Sequence, residues 1–329
     1  MAEESKMYCT FATMNRTTGK ILDHAGALFT VALWGFTFIS SKQLINAGLT
    51  PAWIFTLRFS MAYIGMWVLC LLPKARKSGA AKLWAGRISD EIVLLLLGMT
   101  GGSIYFMAEN SSLKYTQACN ASFIVCTAPL FTMLFTLALK RFRHKRIFSS
   151  LEEVKVNGYL IFGTLLALCG LVMVVFSGYE LKLSPKGDFL ALGASLLWAV
   201  YSIFTAPMTE RYGALMVTRK VFFYGLLTII PFLFFGKPLP GAEVLAQPVD
   251  WGNLLFLGVA ASHIGYIIWD EVLLGLGNVK ATNYIYLNPV FTLIAAVLVL
   301  GERMTALSGT GSALILLGVI LAGMSGRKS

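Results

Sequence analysis

Long apolar segments alternate with short polar connections along almost the whole chain after residue 23. Ten of these segments have about 17–25 residues, the length that a helix needs to cross about 30 Å of hydrocarbon. Because an unpaired backbone group is costly in lipid, each segment is predicted to be helical. The predicted spans are His24–Ile45, Ala52–Leu72, Glu91–Ser112, Ala118–Leu139, Asn157–Ser177, Asp188–Met208, Thr218–Phe235, Trp251–Gly275, Lys280–Leu300 and Ala306–Met324.

Composition supports a membrane protein. The 329 residues are 57% hydrophobic and 13% charged, whereas soluble domains are about 45–50% apolar and about 25% charged. The net charge of +11 could suggest a nucleic-acid partner. The charges lie in the short connections, however, which is the pattern of membrane orientation rather than of a basic binding face. We therefore expect a lipid bilayer and no nucleic acid as partner.

The positive charges also predict an orientation. With the amino terminus inside, twenty lysines and arginines fall in inner segments, six fall outside, and Arg58 lies within a span. This asymmetry favours cytoplasmic amino and carboxyl termini. Residues 1–23 are charged and lack the apolar core of a secretory signal, so they are predicted to form a cytoplasmic segment. A bacterial inner membrane is the expected compartment.

The chain repeats itself at about half its length. Residues 101–142 lie on residues 261–302 without a gap at a shift of 160, which aligns Pro129 with Pro289. Similar shifts align Trp34 with Trp198 and Arg58 with Arg219. Each copy contains five spans, and five is odd, so the second copy enters the membrane upside down. An all-α fold of two inverted five-helix repeats, at residues 24–177 and 188–324, is therefore predicted around a central cavity near the midplane.

These features resemble the two EamA domains of the drug/metabolite transporter superfamily. The resemblance rests on Trp34 and Trp198, on the Ala-Ser/Thr blocks that end at Pro129 and Pro289, and on Gly301-Glu302-Arg303 before the last span. It covers nearly all of the chain after residue 23. The resemblance implies a ten-helix exporter whose first, third, fourth, sixth, eighth and ninth helices line the central cavity. At the position of Gly301-Glu302-Arg303 the first half has a different sequence, Arg-Phe-Arg at residues 141–143.

Ionisable residues inside the spans are candidates for transport chemistry, because such groups are costly in lipid unless they have a function or a partner. Glu109, beside Asn110, lies near the predicted outer end of the third span. Asp270, the repeat mate of Asn110, lies near the inner end of the eighth span, and His263 lies near its middle. These groups could recognise an amine or relay protons, and proton coupling is one hypothesis.

Structural roles are the alternatives for the same groups. Glu109 could pair with Arg58 or Lys114, and Asp270 or Glu271 could pair with Arg219 or Lys280. A neutral histidine at position 263 could instead hydrogen-bond a neighbouring carbonyl.

Aromatic and amide side chains form a second group of candidates. Aromatic walls with a few polar groups suit small, partly apolar solutes, although interfacial belts and helix packing use the same residues. The candidates for substrate binding are Trp34, Tyr105, Trp198, Tyr201, Tyr266, Trp269, Tyr284, Asn110, Asn120, Asn283 and Asn288.

Prolines and glycines suggest how the helices bend and pack. Pro129 and Pro289 stand mid-span at equivalent positions, where a kink could act as a hinge or as a static bend. Glycines at positions 163, 170, 311 and 318 keep a seven-residue spacing on the fifth and tenth spans, which favours close helix packing.

The sequence predicts a secondary transporter that moves a small organic metabolite, such as an amino acid or related amphiphile, by alternating access. No enzyme signature or phosphate loop occurs, so neither catalysis nor direct ATP drive is expected, and the five cysteines suggest no metal or cofactor. One alternative is a nucleotide-sugar or sugar-phosphate antiporter, which would need cavity cations such as Arg58, Lys42 or Lys114. Another is a membrane receptor or enzyme without flux.

Overall fold

The described residues of the first half form five helical rods. A computed structural model describes residues 2–72, 80–116, 118–139, 157–176, 184–239, 247–300 and 306–324. The rods of the first half are α1 (Ala2–Asn46), α2 (Pro51–Leu71), α3 (Ile88–Gly98, Met99–Ser103 and Ile104–Ser112), α4 (Ala118–Val125 and Ala128–Leu139) and α5 (Gly158–Phe176).

The second half repeats this pattern. Its rods are α6 (Pro185–Tyr212), α7 (Ala214–Thr228, followed by Ile230–Phe234), α8 (Pro248–Leu255, Phe256–Ile264 and Gly265–Leu276), α9 (Asn278–Asn283, Tyr284–Leu287 and Asn288–Leu300) and α10 (Ala306–Gly323). No strand occurs among the described residues. Within the described ranges, eight rods are long and apolar enough to cross a membrane, whereas the apolar parts of α5 and α10, Gly158–Met173 and Gly309–Ala322, are shorter. The fold is therefore all-helical and membrane-spanning, and the count of ten crossings stays a prediction.

Helices of the two halves interleave. Helix α1 packs on α8 and α9 of the other half, and its repeat mate α6 packs on α3 and α4. Helix α2 packs on α8, and its mate α7 packs on α3. Each of these helices therefore packs on the other half in the same way as its repeat mate does. The core thus lies between the two halves rather than inside either one.

The contact between α5 and α10 shows that the repeats are inverted. Gly163 lies against Gly318 and Ala322, whereas Gly170 lies against Gly311. Residue numbers increase along α5 in the direction in which they decrease along α10, so these two repeat mates run antiparallel. A rotation about the bilayer normal would leave them parallel, which means that the axis relating them lies in the membrane plane. The predicted inversion and the predicted glycine packing are both confirmed here.

Gly170→Ala is expected to destabilise the protein by about 1–3 kcal/mol, because the added methyl group overpacks a tight contact. The new Cβ would lie 2.5 Å from the Gly311 carbonyl oxygen and 2.7 Å from the Ile315 nitrogen. Gly309→Ala in α10 is the matched control, since its Cβ would meet nothing within 4 Å. Unfolding titrations in mixed micelles check the pair, and equal stabilities would contradict the close packing.

Four rods are broken at matching positions in the two halves. Helices α3 and α8 contain π-helical turns at Met99–Ser103 and Phe256–Ile264. Helices α4 and α9 restart at Ala128–Leu139 and Asn288–Leu300, and in each restarted segment the second residue is a proline. Proline is tolerated there because the first turn of a helix needs no N–H donor. The kink predicted at each proline appears as a break in the helix just before Pro129 and just before Pro289, because proline cannot donate to the preceding turn, and their role as hinges stays a prediction.

The two ends of the bundle are named here by one residue each. At the Asp23 end, the Asp23 side chain lies against Gly275 of α8. At the Lys42 end, the Lys42 ammonium donates to the Leu113 and Thr116 carbonyls that follow α3. Lys42 is thus held by backbone acceptors within the bundle.

An ion pair ties α3 to α7 at the Asp23 end. Lys220 Nζ donates to both carboxylate oxygens of Glu91, at 2.7 and 2.9 Å. The Tyr224 hydroxyl and the Ala85 backbone N–H also donate to this carboxylate. Both charged side chains are about 5% exposed, so the pair is shielded from solvent. We call this contact the Glu91–Lys220 latch.

A second charged contact strengthens the Asp23 end, whereas the Lys42 end has a neutral one. Asp90 contacts Arg211 at 3.4 Å and accepts a 2.6 Å hydrogen bond from the Tyr212 hydroxyl. At the Lys42 end, Asn253 donates to the Gln43 side chain at 3.0 Å. Among the described residues, the ion pairs between α3 and the second half thus lie at the Asp23 end, whereas a cation–π contact of Lys186 with Tyr115 lies at the Lys42 end.

Candidate substrate site

A cavity lies between the two halves, on the Lys42 side of the molecular centre. The space between its lining residues, counted together with the solvent at its open side, is about 400 Å³. Its lining residues are Trp34, Thr37, Phe38, Arg58, Tyr105, Phe106, Glu109, Val125, Trp198, Tyr266, Ile285 and Asn288. Helices of both repeats supply these residues, so a solute inside would contact both halves of the protein.

Six of the residues predicted from sequence line this cavity: Trp34, Tyr105, Glu109, Trp198, Tyr266 and Asn288. The prediction missed the other six. Thr37 and Phe38 lie one helical turn beyond Trp34, and Phe106 adjoins Tyr105, so helical spacing could have indicated them. Arg58 was considered only as an ion-pair partner or a phosphate ligand, although an arginine within a span is a functional candidate by default.

The aromatic residues form the floor of the cavity. Trp34 packs edge-on against its repeat mate Trp198, with ring centroids 5.0 Å apart, and it is also 5.0 Å from Trp269. Tyr105 lies 5.1 Å from Trp198 on the other side. Trp269 is fully buried, so it supports the floor without lining the cavity. The floor separates the cavity from the Asp23 end.

Two side chains of this floor cap the π-helical turns. Trp34 Nε1–H donates to the Ala261 carbonyl at 3.0 Å, and the Tyr266 hydroxyl donates to the Gly101 carbonyl at 2.6 Å. Ala261 and Gly101 are repeat mates, separated by 160 positions. Trp198 has no such acceptor, and its buried Nε1–H lacks a protein partner. Trp269 Nε1–H also lacks a protein partner, but of these two unused donors only that of Trp198 belongs to a residue that lines the cavity.

Arg58 is a buried cation with unused hydrogen-bonding capacity. Its side chain is 1% exposed, and its Nε–H donates to Ser262 Oγ at 2.9 Å. The guanidinium carbon lies 4.5 Å from the Phe106 ring centroid and 5.1 Å from that of Phe59, which are cation–π distances. One terminal nitrogen, Nη1, has no protein partner. Arginine presents a fork of N–H donors that suits a carboxylate or a phosphate.

Glu109 supplies the opposite charge. It is 3% exposed, and its carboxylate interacts with the Tyr105 hydroxyl and electrostatically with Arg58. The described residues include no ion pair between Arg58 and Glu109 within 4 Å. Asn288 adds a buried carbonyl oxygen, Oδ1, that lacks a partner. The cavity therefore carries both signs of charge and unused donors and acceptors, with aromatic rings between them.

Asp270 lies beneath the floor rather than in the cavity. Its Oδ1 accepts a 2.8 Å hydrogen bond from the Tyr201 hydroxyl, and its Oδ2 accepts one of 2.5 Å from Thr218 Oγ1. The proposed ion pair with Arg219 was wrong, because that guanidinium binds the Ala80 and Lys82 carbonyls. The carboxylates Glu109 and Asp270 thus lie on opposite sides of the aromatic floor.

The remaining candidates lie away from the lining. His263 Nδ1 is 3.1 Å from the Ala62 carbonyl oxygen of α2, the arrangement given above as its structural alternative. Tyr284 contacts His24 at 2.6 Å near the Asp23 end. Asn110 and Asn283 are buried and each has unpartnered amide atoms. The side chain of Asn120 and the motif at positions 301–303 lie outside the described residues.

Trp34→Phe and Trp198→Phe are expected to differ, although the two residues are repeat mates. Trp34→Phe leaves the buried Ala261 carbonyl without its donor, which costs about 1–3 kcal/mol of stability. Trp198→Phe removes a donor that has no protein partner, so stability should change little while solute affinity falls about 2- to 10-fold. Unfolding titrations and transport KM values test this contrast. Equal losses of stability would contradict the assigned hydrogen bonds.

Inverted helical halves around a buried cavity define a multi-pass membrane transporter. The chain belongs to the EamA-like transporter family, whose family profile matches residues 24–176 and 185–324. The resemblance noted in the sequence is thereby confirmed. Family and relatives are transporters, and the protein is not an enzyme.

Curated relatives match along nearly their whole lengths. An uncharacterized transporter of Archaeoglobus fulgidus is 28% identical over 91% of this chain and 96% of its own. A Salmonella typhimurium protein named "Probable amino-acid metabolite efflux pump" is 27% identical, covering 90% of this chain and 92% of its own. A Streptantibioticus cattleyicolor protein named "Probable terminal-alkyne amino-acid exporter" is 24% identical, again over 90% and 92%.

A solved crystal structure has the same fold. It aligns with a TM-score of 0.68 over 93% of this chain and 96% of its own, at 17% sequence identity. At that identity the likeness concerns the fold alone.

Proposed function

We propose that the protein is a secondary transporter for a small zwitterionic metabolite of the amino-acid type. The observation that carries this proposal is the pair of buried opposite charges, Arg58 and Glu109, in one cavity without a direct ion pair. Buried charges need partners. A solute with a carboxylate and an ammonium group supplies a partner for each.

The cavity offers separate contacts for each part of such a solute. Arg58 Nη1 and Trp198 Nε1 are the unused donors for a carboxylate, and Glu109 and Asn288 Oδ1 are acceptors for an ammonium group. The rings of the floor and Phe38 provide an apolar surface for the side chain. The names of the amino-acid exporter and the efflux pump among the relatives agree with this substrate class.

Alternating access requires the floor to open. Trp269 is the repeat mate of Glu109, and Tyr201 is the repeat mate of Thr37. Both aromatic side chains are fully buried. These aromatic side chains fill the space in which the inverted repeat would form an equivalent cavity at the Asp23 end. Opening there must part the aromatic rings and release the Glu91–Lys220 latch. The helix restarts at Pro129 and Pro289 are the proposed hinges.

Export from the cytoplasm is the proposed direction. With cytoplasmic termini, the Asp23 end faces inward and the cavity of this conformation faces outward. The lysine and arginine asymmetry supports that orientation, and the relatives' names support export. A bacterial inner membrane remains the proposed compartment.

A sugar-phosphate or nucleotide-sugar substrate is disfavoured. Dianionic solutes need several cations, yet among the described lining residues the cation is Arg58, opposed by Glu109. Lys42 binds backbone carbonyls instead, and Lys114 is exposed.

Counterflow in proteoliposomes tests the substrate class. Vesicles loaded with unlabelled solute are diluted into labelled L-phenylalanine, L-threonine, glucose 6-phosphate or UDP-glucose, with protein-free vesicles as control. We expect label to accumulate with an amino acid and not with the phosphorylated solutes. Accumulation of a phosphorylated solute alone, or of none of the four, would overturn the proposal.

A further inference from the structure

Asp270 is a fully buried carboxyl group held by hydroxyl groups. Tyr201 of α6 and Thr218 of α7 donate to its two oxygens, so the group joins three helices of the second half. A carboxylate in such a place ordinarily requires a cation or a second function, because desolvation of its charge is costly. Hydroxyl donors can bind either the ionised or the proton-bearing form.

The charged and titratable groups around Asp270 provide no counter-ion. On its own helix, Tyr266 and the exposed Glu271 are the neighbours. From α6 comes Tyr201, and from α1 comes Asp23, which lies near Glu271.

The cations of α7 bind elsewhere. Arg219 donates to backbone carbonyls and Lys220 to Glu91. Lys280 of α9, the other cation considered from the sequence, makes no salt bridge to Asp270, and none from another cation occurs in the described parts of the chain. A proton is thus the counter-charge that the site can take up without further rearrangement.

The site is asymmetric between the repeats. The repeat mate of Asp270 is Asn110, an amide that cannot exchange a proton. Asn110 is equally buried, so the two positions share a location and differ in chemistry. The titratable group lies on the side of the floor that must open toward the Asp23 end.

A direct contact connects Asp270 to the floor. Tyr201, its hydrogen-bond donor, packs 5.0 Å from Trp198 and 6.0 Å from Tyr266, measured between ring centroids. Both of those rings line the cavity. Separation of α6, α7 and α8 would remove the hydroxyl donors from Asp270 and expose its carboxyl group to water.

We infer that Asp270 is the coupling-proton site of this transporter, separate from the substrate cavity and linked to it through Tyr201. The inference rests on the proposed transport function. In each cycle the carboxylate takes one proton from water on one side, forming a carboxylic acid, and releases that proton to water on the other side. Transport therefore responds to a pH gradient.

Infrared difference spectroscopy of the purified protein tests the proton site without any substrate. We expect a carbonyl-stretch band of a protonated carboxyl group that titrates with pH, is lost in Asp270→Asn and persists in Glu271→Gln. Tyr201→Phe and Thr218→Val keep the carboxyl group and should shift its band, which provides a second readout if Asp270→Asn fails to fold. A band unchanged in all these variants would overturn the assignment.

Transport assays then separate this inference from the proposed function. With L-phenylalanine or L-threonine, Asp270→Asn should retain counterflow within about threefold but lose the acceleration by an imposed pH gradient. Glu271→Gln should keep both. If the wild type shows no counterflow while the band titrates, the transport function fails and the proton site stands. If Asp270→Asn still responds to the gradient, the coupling role is wrong.

Discussion

Lys220→Met is expected to lower the stability of the protein by about 3 kcal/mol, because it leaves the Glu91 carboxylate buried without its cation. This is near the lower end of the usual cost of breaking a buried pair, since the latch lies close to one end of the bundle. Glu91 would keep hydrogen bonds from Tyr224 and the Ala85 N–H. Reversible unfolding in mixed micelles gives the measurement.

The double variant Lys220→Met with Glu91→Leu is the decisive comparison. Removing both charges avoids an uncompensated one, so most of the lost stability should return. Lys237→Met, at an exposed lysine, is the control and should change stability by no more than about 0.5 kcal/mol. If the double variant is as unstable as Lys220→Met, the loss does not arise from an unpaired Glu91.

Arg58→Gln is expected to raise the KM for amino-acid counterflow by roughly 10- to 100-fold. A hydrogen bond to a charged group contributes about 1.5–3 kcal/mol, and about 1.4 kcal/mol corresponds to a tenfold change. Glutamine retains a polar side chain near Ser262 while removing the charge and the free Nη1 donor. Initial rates of L-phenylalanine and L-threonine counterflow provide the KM values.

Two variants complete this test. Arg58→Lys retains the charge without the planar fork and should fall between Arg58→Gln and the wild type. Lys114→Gln removes an exposed cation outside the cavity and should transport normally. An unchanged KM in a folded Arg58→Gln variant would show that this arginine does not bind the substrate.

The fold was largely predictable because lipid imposes a simple rule on sequence. Segments long enough to cross hydrocarbon appear as apolar runs, and an odd number of them per repeat requires inversion. Glycine spacing on α5 and α10 predicted close packing, which the structure confirms at Gly170 and Gly318. The positions of Pro129 and Pro289 were visible, whereas the helix restarts beside them depend on backbone geometry that residue types do not specify.

The site was predictable only in part, because its hydrogen bonds join residues far apart in sequence. Trp34 and Trp198 look equivalent as repeat mates, yet one bonds the Ala261 carbonyl and the other has no partner because Tyr266 occupies the corresponding Gly101 carbonyl. For Asp270 the sequence left two roles open, transport chemistry or an ion pair with Arg219 or Lys280, which are the nearby cations by position. Which way each long side chain turns is decided by packing.

By itself, the sequence determined the membrane class, the duplication, the inversion and the family, since apolar length and repeated motifs are local properties of the chain. Tertiary structure alone decided which charges share the cavity and which carboxyl group lies beneath its floor. Those contacts form between α1, α2 and α3 of one repeat and α6, α7, α8 and α9, and their energies depend on distance and burial that only the packed bundle defines.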